Sequence, residues 1–511
     1  MNNLDRLVSK RSPLPSADVE CRWFCGAVLV ALSLGVAALA ITTRSFWTDE
    51  ACTAIKATQP SLSKWWGKML SGGSDLQMPC YMIYVWLWAK VFGHSEWWLR
   101  AANLPWLALG LLAIPRRQFA FLAVVTLSPF VWFYLDEARP YAMQIGCGLL
   151  VIGALWGLAQ EPAPLTGCVQ NETLWAGCFW LGLLLQAASS MLAIIWAAAT
   201  LGCAWVWLGR ARAVQLLRRH WVPVSVFGAC LAALACYYAW TLSNSAQAST
   251  GRTGLGNVVF AAYELLGFAG LGPGRLDLRQ NILAAFKPFV PVLCLYAGMT
   301  GIILITSGAH LVRHTPRRIW FGVACFAGMA SAALLAAGVV KHVRILARHA
   351  APLAPLILLV LAVGVGSLWR RGGIRRFAAV VFLLLSLASA ASLRLAPRHA
   401  KDEYRQAAAL ACAALARGEI VWWAASVEGG AYYGLPVATK NTVEAPGRAW
   451  EATRSSEELL TRRPVPQLVV LAKPDYFDES GSLRAFLNRG GYQLSQSLPA
   501  LTLWRKPASP P

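Results

Sequence analysis

The sequence Trp47-Thr48-Asp49-Glu50 follows closely on an apolar run from Phe24 to Ile41, and a second polar stretch, Asp75-Leu76-Gln77-Met78-Pro79-Cys80-Tyr81, comes soon after it. Carboxylates beside membrane-length apolar segments are costly, because the hydrocarbon layer gives them no hydration, and they mark functional sites by default. The two acidic stretches are therefore the first candidates for chemistry. The apolar runs around them decide the fold.

The composition indicates a membrane protein. Of the 511 residues, 57% are hydrophobic and 14% are charged, and the mean hydropathy is +0.49, which is too apolar and too poor in charge for a soluble globule. Apolar runs recur from Trp23 to Leu395, each long enough to cross a hydrocarbon core of roughly 30 Å. The net charge of +22 comes from basic residues in short loops, as in cytoplasmic loops of membrane proteins. A nucleic-acid partner is therefore not expected.

Hydropathy and loop charge together predict an α-helical polytopic protein with about eleven transmembrane helices. Residues 1–22 form a cytoplasmic tail, which leads into an uncleaved first span. Residues 23–395 form the transmembrane domain, with an amphipathic external loop at 44–97. Within that loop, Tyr81 to Phe92 is either a helix at the membrane interface or a short span.

Two details of the prediction depend on polar residues. Thr173 to Leu208 must cross twice, with its break at Gln186 to Ser190, so that the following arginines lie inside. Cys52 and Cys80 share the external loop and could pair in an oxidising compartment, and the sequence leaves this open. The chain is expected to lie in the plasma membrane, which is the inner membrane in a Gram-negative bacterium.

The chain changes character after residue 395. Glu419 to Ala424 and Gln467 to Leu471 have the pattern of buried strands, while Tyr404 to Ala416 and Ser482 to Asn488 have the pattern of helices. We predict that residues 396–511 form a small α/β domain on the extracytoplasmic face. The size is normal for one domain.

Three predicted external loops hold most of the unusual charges. The third is strongly basic although it lies outside, against the positive-inside tendency, so an anion such as a lipid phosphate is expected beside it, since arginine matches phosphate oxygens. The loops contain, in order, Asp49, Glu50, Asp75 and Gln77; then Asp136, Glu137, Arg139 and Tyr141; then Lys341, His342, Arg344, Arg348 and His349.

A carboxylate near cationic groups suits the transfer of a sugar from a phosphate leaving group. The carboxylate takes the proton from the attacking hydroxyl, and the cations stabilise the departing phosphate. The sequence has no Gly-rich phosphate loop and no dinucleotide fingerprint. These features favour a polyprenyl-phosphate sugar, already embedded in the membrane, as the donor.

Four motifs follow one another along the chain. They are Trp47-Thr48-Asp49-Glu50; Asp75 to Tyr81, followed by Phe92-Gly93-His94-Ser95-Glu96 and Leu99-Arg100; Ser128-Pro129-Phe130, followed by Ala138-Arg139-Pro140-Tyr141-Ala142; and Arg348-His349 with Pro352 and Pro355. In this order they resemble the GT-C superfamily of membrane glycosyltransferases, and in particular its family 39-like members, which include protein O-mannosyltransferases and the aminoarabinose transferase of lipid A. The resemblance covers residues 45–150 best.

The resemblance implies roles for single residues. Asp49 would be the general base, and Asp75 a second acidic group, with both as ligands if a divalent cation is needed. Arg139 and Arg348 would contact the carrier phosphate. Gln77 stands where the family usually has His, which removes a titratable group. The remaining residues expected to bind substrate are Glu50, Gln77, Tyr81, Asp136, Tyr141 and Arg344.

Each candidate also has a purely structural interpretation. Asp49 or Thr48 would cap a helix that begins at Glu50, and Asp75 would be an ordinary turn residue. Asp136 would be solvated at the surface. The basic candidates would extend to lipid headgroups; these are Arg139, Arg344 and Arg348.

Two other classes of function stay open. A flippase or transporter of lipid-linked sugars would place charged residues or broken helices near the bilayer midplane. A polysaccharide polymerase or ligase would carry a large external loop late in the chain. The predicted enzyme moves a monosaccharide to an acceptor hydroxyl, with inversion at the anomeric carbon. The sequence does not say whether the acceptor is a protein, a lipid or a glycan.

Overall fold

The structure, a computed structural model, describes residues 16–71, 74–114, 118–159, 168–244, 253–438 and 447–507. The chain is helical as far as residue 395 and mixed α/β beyond it. The α-helices of the first part are Ser16–Ala38, Thr48–Ala57, Leu62–Leu70, Pro79–Phe92, Glu96–Ala101, Leu104–Ala113, Phe119–Thr126, Pro129–Leu135, Tyr141–Ala159, Cys168–Ser189, Ala193–Leu208, Arg210–Arg219, Trp221–Asn244, Leu255–Leu265, Arg275–Gln280, Ile282–Phe286, Val290–His314, Arg317–Val340, Ala354–Arg371 and Gly373–Leu395. Short 3-10 turns lie at Ser74–Gln77, Lys287–Phe289, Ala347–Leu353 and Pro397–His399.

Among the described residues, six helical segments are long and apolar enough to cross a membrane, or seven if a pair bent by 114° counts as one span. The protein is therefore a polytopic helical membrane protein, and the count of about eleven spans stays a prediction. The six segments are Tyr141–Ala159, Trp221–Asn244, Ile282–His314, Arg317–Val340, Ala347–Arg371 and Gly373–Leu395.

Some predicted spans are broken by local backbone chemistry. The run from Gln118 to Leu135 is interrupted at Ser128, whose side chain accepts a hydrogen bond from the Val131 amide and so begins a new helix, with Pro129 in its first turn. Proline suits that position because it has no amide hydrogen to donate. A hydropathy plot does not register such a break.

Other sequence predictions for the helical part agree with the structure, and one segment had no prediction. Thr173 to Leu208 does form two helices, which are separated at Ser190–Leu192. Pro79–Phe92 is a helix of 14 residues, which is shorter than a usual span. Cys52 and Cys80 are free thiols. No helix was predicted between Thr241 and Pro288, where the structure has three short α-helices.

Close packing of the first helices on Tyr141–Ala159 depends on small residues. A Cβ on Gly146 would lie 2.2 Å from the carbonyl oxygen of Trp106, and one on Gly153 would lie 2.3 Å from that of Ala113. Helices in membranes use glycine in this way to bring their backbones together. These contacts hold Tyr141–Ala159 close against Leu104–Ala113.

Among the described residues, the C-terminal part has six strands, which are β1 Val421–Ala424, β2 Val437–Ala438, β3 Ala449–Glu451, β4 Leu468–Ala472, β5 Gln493–Leu498 and β6 Leu501–Arg505. They form one sheet in the order β2-β3-β1-β4-β6-β5. β1 is parallel to β3 and β4, and β6 is antiparallel to β4 and β5. The predicted strands and helices are confirmed here. The helices of this part are Tyr404–Ala416, Val427–Tyr432, Glu457–Thr461, Pro474–Phe477 and Ser482–Arg489.

This α/β part packs on the segment that carries the first acidic motif. The Tyr433 hydroxyl accepts a hydrogen bond from the Phe46 amide at 2.8 Å, and the Tyr404 and Thr48 hydroxyl oxygens are 3.2 Å apart. Tyr404 is fully buried. The acidic motif therefore lies between the helical bundle and the C-terminal part.

Candidate active site

Glu50 anchors the first acidic motif inside the protein. Its carboxylate accepts two hydrogen bonds from Arg100, at 2.8 and 2.9 Å, and one from the Ala138 amide at 2.9 Å. Lys401 adds an ion pair at 3.1 Å, and Glu50 is 0% exposed. Burial raises the pKa of Glu50, but Arg100 and Lys401 outweigh it and hold the pKa below its usual value. Glu50, expected to bind substrate, is here enclosed by protein groups.

Asp136 continues this buried network. Its two oxygens accept hydrogen bonds from the Thr42 amide at 2.7 Å and from Arg394 at 2.8 Å, while Lys401 lies 3.3 Å away. Burial acts to raise the pKa of Asp136, and the cations Lys401, Arg394 and Arg100 lower it further than burial raises it. Asp136 is therefore not the solvated surface group of the structural interpretation, and it ties three parts of the chain together.

Asp75 forms a second buried centre. One of its oxygens accepts a hydrogen bond from Arg139 at 2.7 Å, and the other pairs with Lys56. The same Arg139 nitrogen lies 3.1 Å from the Thr53 hydroxyl and 3.3 Å from the Asp49 carbonyl oxygen. Burial raises the pKa of Asp75, and Arg139 and Lys56 more than reverse that effect. Asp75 thus holds the basic groups that support the helix of Asp49.

Asp49 differs from the other acids of the loop because its side chain is 30% exposed. It lies in the first turn of Thr48–Ala57, where the helix dipole favours a negative charge, and it makes no capping hydrogen bond there. Its carboxylate accepts a hydrogen bond from Arg348 at 2.8 Å. The structure thus brings together an acid and a base that are 299 residues apart in the chain.

Arg348 has a hydrogen-bond donor that is not used by the described residues. Its guanidinium lies 5.7 Å from the centre of the Trp47 ring, and its Nε is buried without a hydrogen-bond partner in the described part of the chain. A guanidinium has five N–H donors in a planar fork, and a buried donor without a partner is uncommon. The pair of Asp49 and Arg348 can therefore accept a proton on one side and hold an anion on the other.

The remaining expected residues differ in their exposure and in their partners. Tyr81 is buried, and its hydroxyl is 3.5 Å from the Asn103 side-chain oxygen. Tyr141 is buried as well. The Gln77 backbone carbonyl accepts a hydrogen bond from the Met191 amide at 2.8 Å, and Arg344 is exposed.

Two candidates, Lys56 and Lys401, were not predicted from the sequence, and Glu137 was recognised among the charges of the second loop but was given no role. Lys56 lies on Thr48–Ala57, one helical turn after Cys52, and its place on the helix of Asp49 is only a weak sign of function in the sequence. Lys401 is distant from the acidic motif in the sequence. Glu137 is only 2% exposed, and no described residue donates a hydrogen bond to its carboxylate. Burial raises its pKa from 4.5 to about 7. A buried carboxyl group with a raised pKa is a recognised sign of a functional site.

A divalent cation at Asp49 and Asp75 does not fit this geometry. Within the described ranges, no group of three or more His, Cys, Asp or Glu side chains could hold a metal ion. The Asp75 oxygens are already used by Arg139 and Lys56. We therefore derive no step of the chemistry from a metal.

The fold and the site define a polytopic membrane protein with an exposed acid–guanidinium pair at the junction of its helical and α/β parts. No protein-family model matches the chain, and no curated protein matches it. Among solved structures it is similar to ArnT from Cupriavidus metallidurans bound to undecaprenyl phosphate, at 12% identity and a TM-score of 0.48, over 94% of this chain and 98% of that one. It is also similar to apo ArnT of the same organism, at 13% identity and 0.48, over 96% and 98%. At these values the likeness assigns no activity to this chain.

Proposed function

We propose that this protein is a membrane glycosyltransferase that moves a monosaccharide from a polyprenyl-phosphate donor to a hydroxyl group of an acceptor. The observation that carries the proposal is the pair of Asp49 and Arg348. Asp49 is a partly exposed carboxylate in a loop where Glu50 and Asp75 are buried and paired and where Glu96, 15% exposed, pairs with Arg405. Arg348 beside it has donors left for a phosphate.

In the proposed reaction, Asp49 acts as the general base. It takes the proton of the acceptor hydroxyl as that oxygen bonds to the anomeric carbon of the sugar. The bond between the anomeric carbon and the phosphate oxygen breaks, and its electron pair stays on the phosphate. The products are the glycosylated acceptor and the polyprenyl phosphate, and the proton on Asp49 passes to water. A single displacement of this kind inverts the anomeric carbon.

Arg348 stabilises the negative charge that develops on the leaving phosphate. Fixed cationic donors are effective there because they need no reorganisation during the reaction. Arg139 helps to position Asp49, because its side chain donates hydrogen bonds both to Asp75 and to the Asp49 carbonyl oxygen. The resemblance implied that Arg139 also contacts the phosphate; in our proposal it is a positioning residue.

The proposal includes a location. The site would face the extracytoplasmic side of the plasma membrane, with the N-terminus in the cytoplasm and the C-terminal domain outside, as the basic loops predict. A donor anchored in the membrane would reach a site at the ends of the helices by lateral diffusion. This proposed position and the charges of the site both support a lipid-phosphate donor.

The test is a donor comparison with purified protein in detergent. Radiolabelled polyprenyl-phosphate sugars and the matching sugar nucleotides are offered with a membrane extract as the source of acceptor. We expect label to enter the extract from one or more lipid-linked sugars and from no sugar nucleotide. Transfer from the nucleotides, or from no donor although the protein is folded, would contradict the proposal.

A further inference from the structure

A cavity of about 150 Å³ lies between the helical part and the C-terminal part, and one of its walls is Trp47, whose ring lies 5.7 Å from the Arg348 guanidinium. Trp47 lines the cavity and is two residues from Asp49 in the chain. Its other walls include Phe133, Glu137, Tyr263, Arg394 and Lys473.

Several residues in the cavity wall have hydrogen-bonding atoms without a partner. Trp47 Nε1, the Tyr263 hydroxyl and Arg394 Nε are buried and make no hydrogen bond to any described residue. Buried polar atoms of folded proteins are bonded in the large majority of cases. Three such atoms without partners around one cavity indicate that a polar ligand forms hydrogen bonds with them.

Glu137 is the strongest of these signals. No described residue donates a hydrogen bond to its carboxyl group, although five Arg and Lys side chains line the same cavity. All five have acidic partners, and three of these pairs are Arg394 with Asp136, Lys473 with Asp402 and Arg279 with Asp475. Lys401 is engaged by Glu50 and by the Asp136 carbonyl oxygen. Arg275 donates to Glu264 at 2.6 Å and lies 4.1 Å from the centre of the Phe133 ring. Glu137 is thus left for donors that arrive with a ligand.

The walls of the cavity select the kind of ligand. Its other acids are paired, with Glu264 held by Arg275 and Asp402 held by Lys473 at 2.5 Å. An unpaired carboxylate disfavours an anion and favours a molecule rich in hydroxyl donors. Tyr263, Phe133 and Trp47 supply aromatic surface for an apolar ring face. Hydroxyl groups around a ring with C–H faces are the chemistry of a sugar.

We propose that this cavity binds a sugar ring and that Glu137 accepts hydrogen bonds from its hydroxyl groups. This inference rests on the proposed function, because it gives the ring a place next to the reacting pair. Trp47 connects the cavity with the Asp49–Arg348 pair. Its ring lies near the Arg348 guanidinium and 5.8 Å from the amino group of Lys473, which lines the cavity. The ring belongs either to the donor or to the acceptor.

The test measures half-saturating concentrations in the transfer reaction, for the donor and for the acceptor extract separately. Glu137→Gln removes the carboxylate at nearly constant volume, and Tyr263→Phe removes only a hydroxyl, so the result does not depend on one variant folding. We expect at least a tenfold rise in one of the two concentrations for Glu137→Gln, the scale of a lost hydrogen bond to a charged group. A rise for the donor alone assigns the ring to the donor, and a rise for the extract alone assigns it to the acceptor.

The matched control is Glu458→Gln, at a surface position whose side chain is 71% exposed, and it should change neither value. If both cavity variants leave both concentrations within twofold of wild type while transfer continues, the subsite is refuted and the proposed function survives. If the wild type transfers no sugar, the proposed function fails instead. Saturation-transfer NMR with methyl glycosides then tests the cavity directly, and an equal signal from wild type and Glu137→Gln would refute it.

Discussion

Asp49 and Glu50 are neighbours in the chain, yet their carboxylates have opposite surroundings. Glu50 is fully buried against Arg100, whereas Asp49 is partly exposed beside Arg348. Glu50 ties the loop to the bundle, and the carboxylate of Asp49 is left available for chemistry. Substitutions at these two positions should therefore separate stability from activity.

Glu50→Gln should destabilise the protein strongly. The change leaves Arg100 buried without its charge partner, and breaking a buried ion pair from one side costs about 3–5 kcal/mol. Thermal unfolding of purified protein in detergent measures the effect. Glu458→Gln is the control, because an exposed pair is worth only about 0–1 kcal/mol. Equal melting temperatures for the two variants would show that the Glu50 network does not hold the fold.

Arg348→Lys should weaken donor binding although the charge is kept. Lysine cannot reproduce the planar fork that matches phosphate oxygens, and hydrogen bonds to charged groups are worth about 1.5–3 kcal/mol each. We expect KM for the lipid-linked donor to rise by about 10- to 100-fold in initial-rate assays. Arg462→Lys, at a position 74% exposed, should leave KM unchanged. An unchanged donor KM in Arg348→Lys would remove Arg348 from the phosphate site.

Glu137→Gln should stabilise the protein at high pH and not at low pH. Burial raises the pKa of Glu137 from 4.5 to about 7, so between these values the folded state keeps a proton that the unfolded state releases. The stability of the wild type therefore falls as pH rises through this window. The difference from Gln should reach at most about 3 kcal/mol at pH 8, since one pKa unit corresponds to about 1.4 kcal/mol.

Melting temperatures of wild type and Glu137→Gln at pH 5 and pH 8 check this sign. The buried acids with lowered pKa, Glu50, Asp75 and Asp136, are the same in both proteins, so their loss of stabilisation at low pH cancels in the comparison. A gain for the variant at pH 5 that disappears at pH 8 would contradict the prediction.

Gly146→Ala should destabilise the helix contact. The added Cβ would lie 2.2 Å from the Trp106 carbonyl oxygen, so the backbones must move apart, and overpacking of this kind costs about 1–3 kcal/mol. Gly228→Ala is the matched control, because a Cβ there meets nothing within 4 Å and alanine favours a helix. A melting temperature lowered equally in both variants would mean that the contact is looser than described.

The sequence predicted those features that depend on local pattern. The break in Thr173 to Leu208 and the strands at Val421 and Leu468 follow from polar interruptions and short apolar runs, which are read directly from the chain. The acidic motif was also recognisable as a candidate site. Its position after an apolar run is what made it informative.

The features that were not predicted depend on contacts between distant residues. The residues next to Asp49 and Glu50 in the sequence do not predict that Glu50 faces inward and Asp49 faces outward. This difference depends on Arg100 and on Lys401, which is 351 residues from Glu50 in the chain. Glu137 stands beside Asp136 in the chain, and only the packing around it shows which of the two acids lacks a partner. The short helices between Thr241 and Pro288, which bring Tyr263 to the cavity, have too few residues for a periodic signal.

The most direct test of the central proposal is the turnover of Asp49→Asn with a lipid-linked sugar that the wild type uses. The variant keeps the size of the side chain and removes the base, so we expect the transfer rate to fall by about 10²- to 10⁴-fold, the range that general base catalysis supplies, with a melting temperature close to that of wild type. A rate within a few-fold of wild type in folded Asp49→Asn would contradict the assignment of Asp49 as the base.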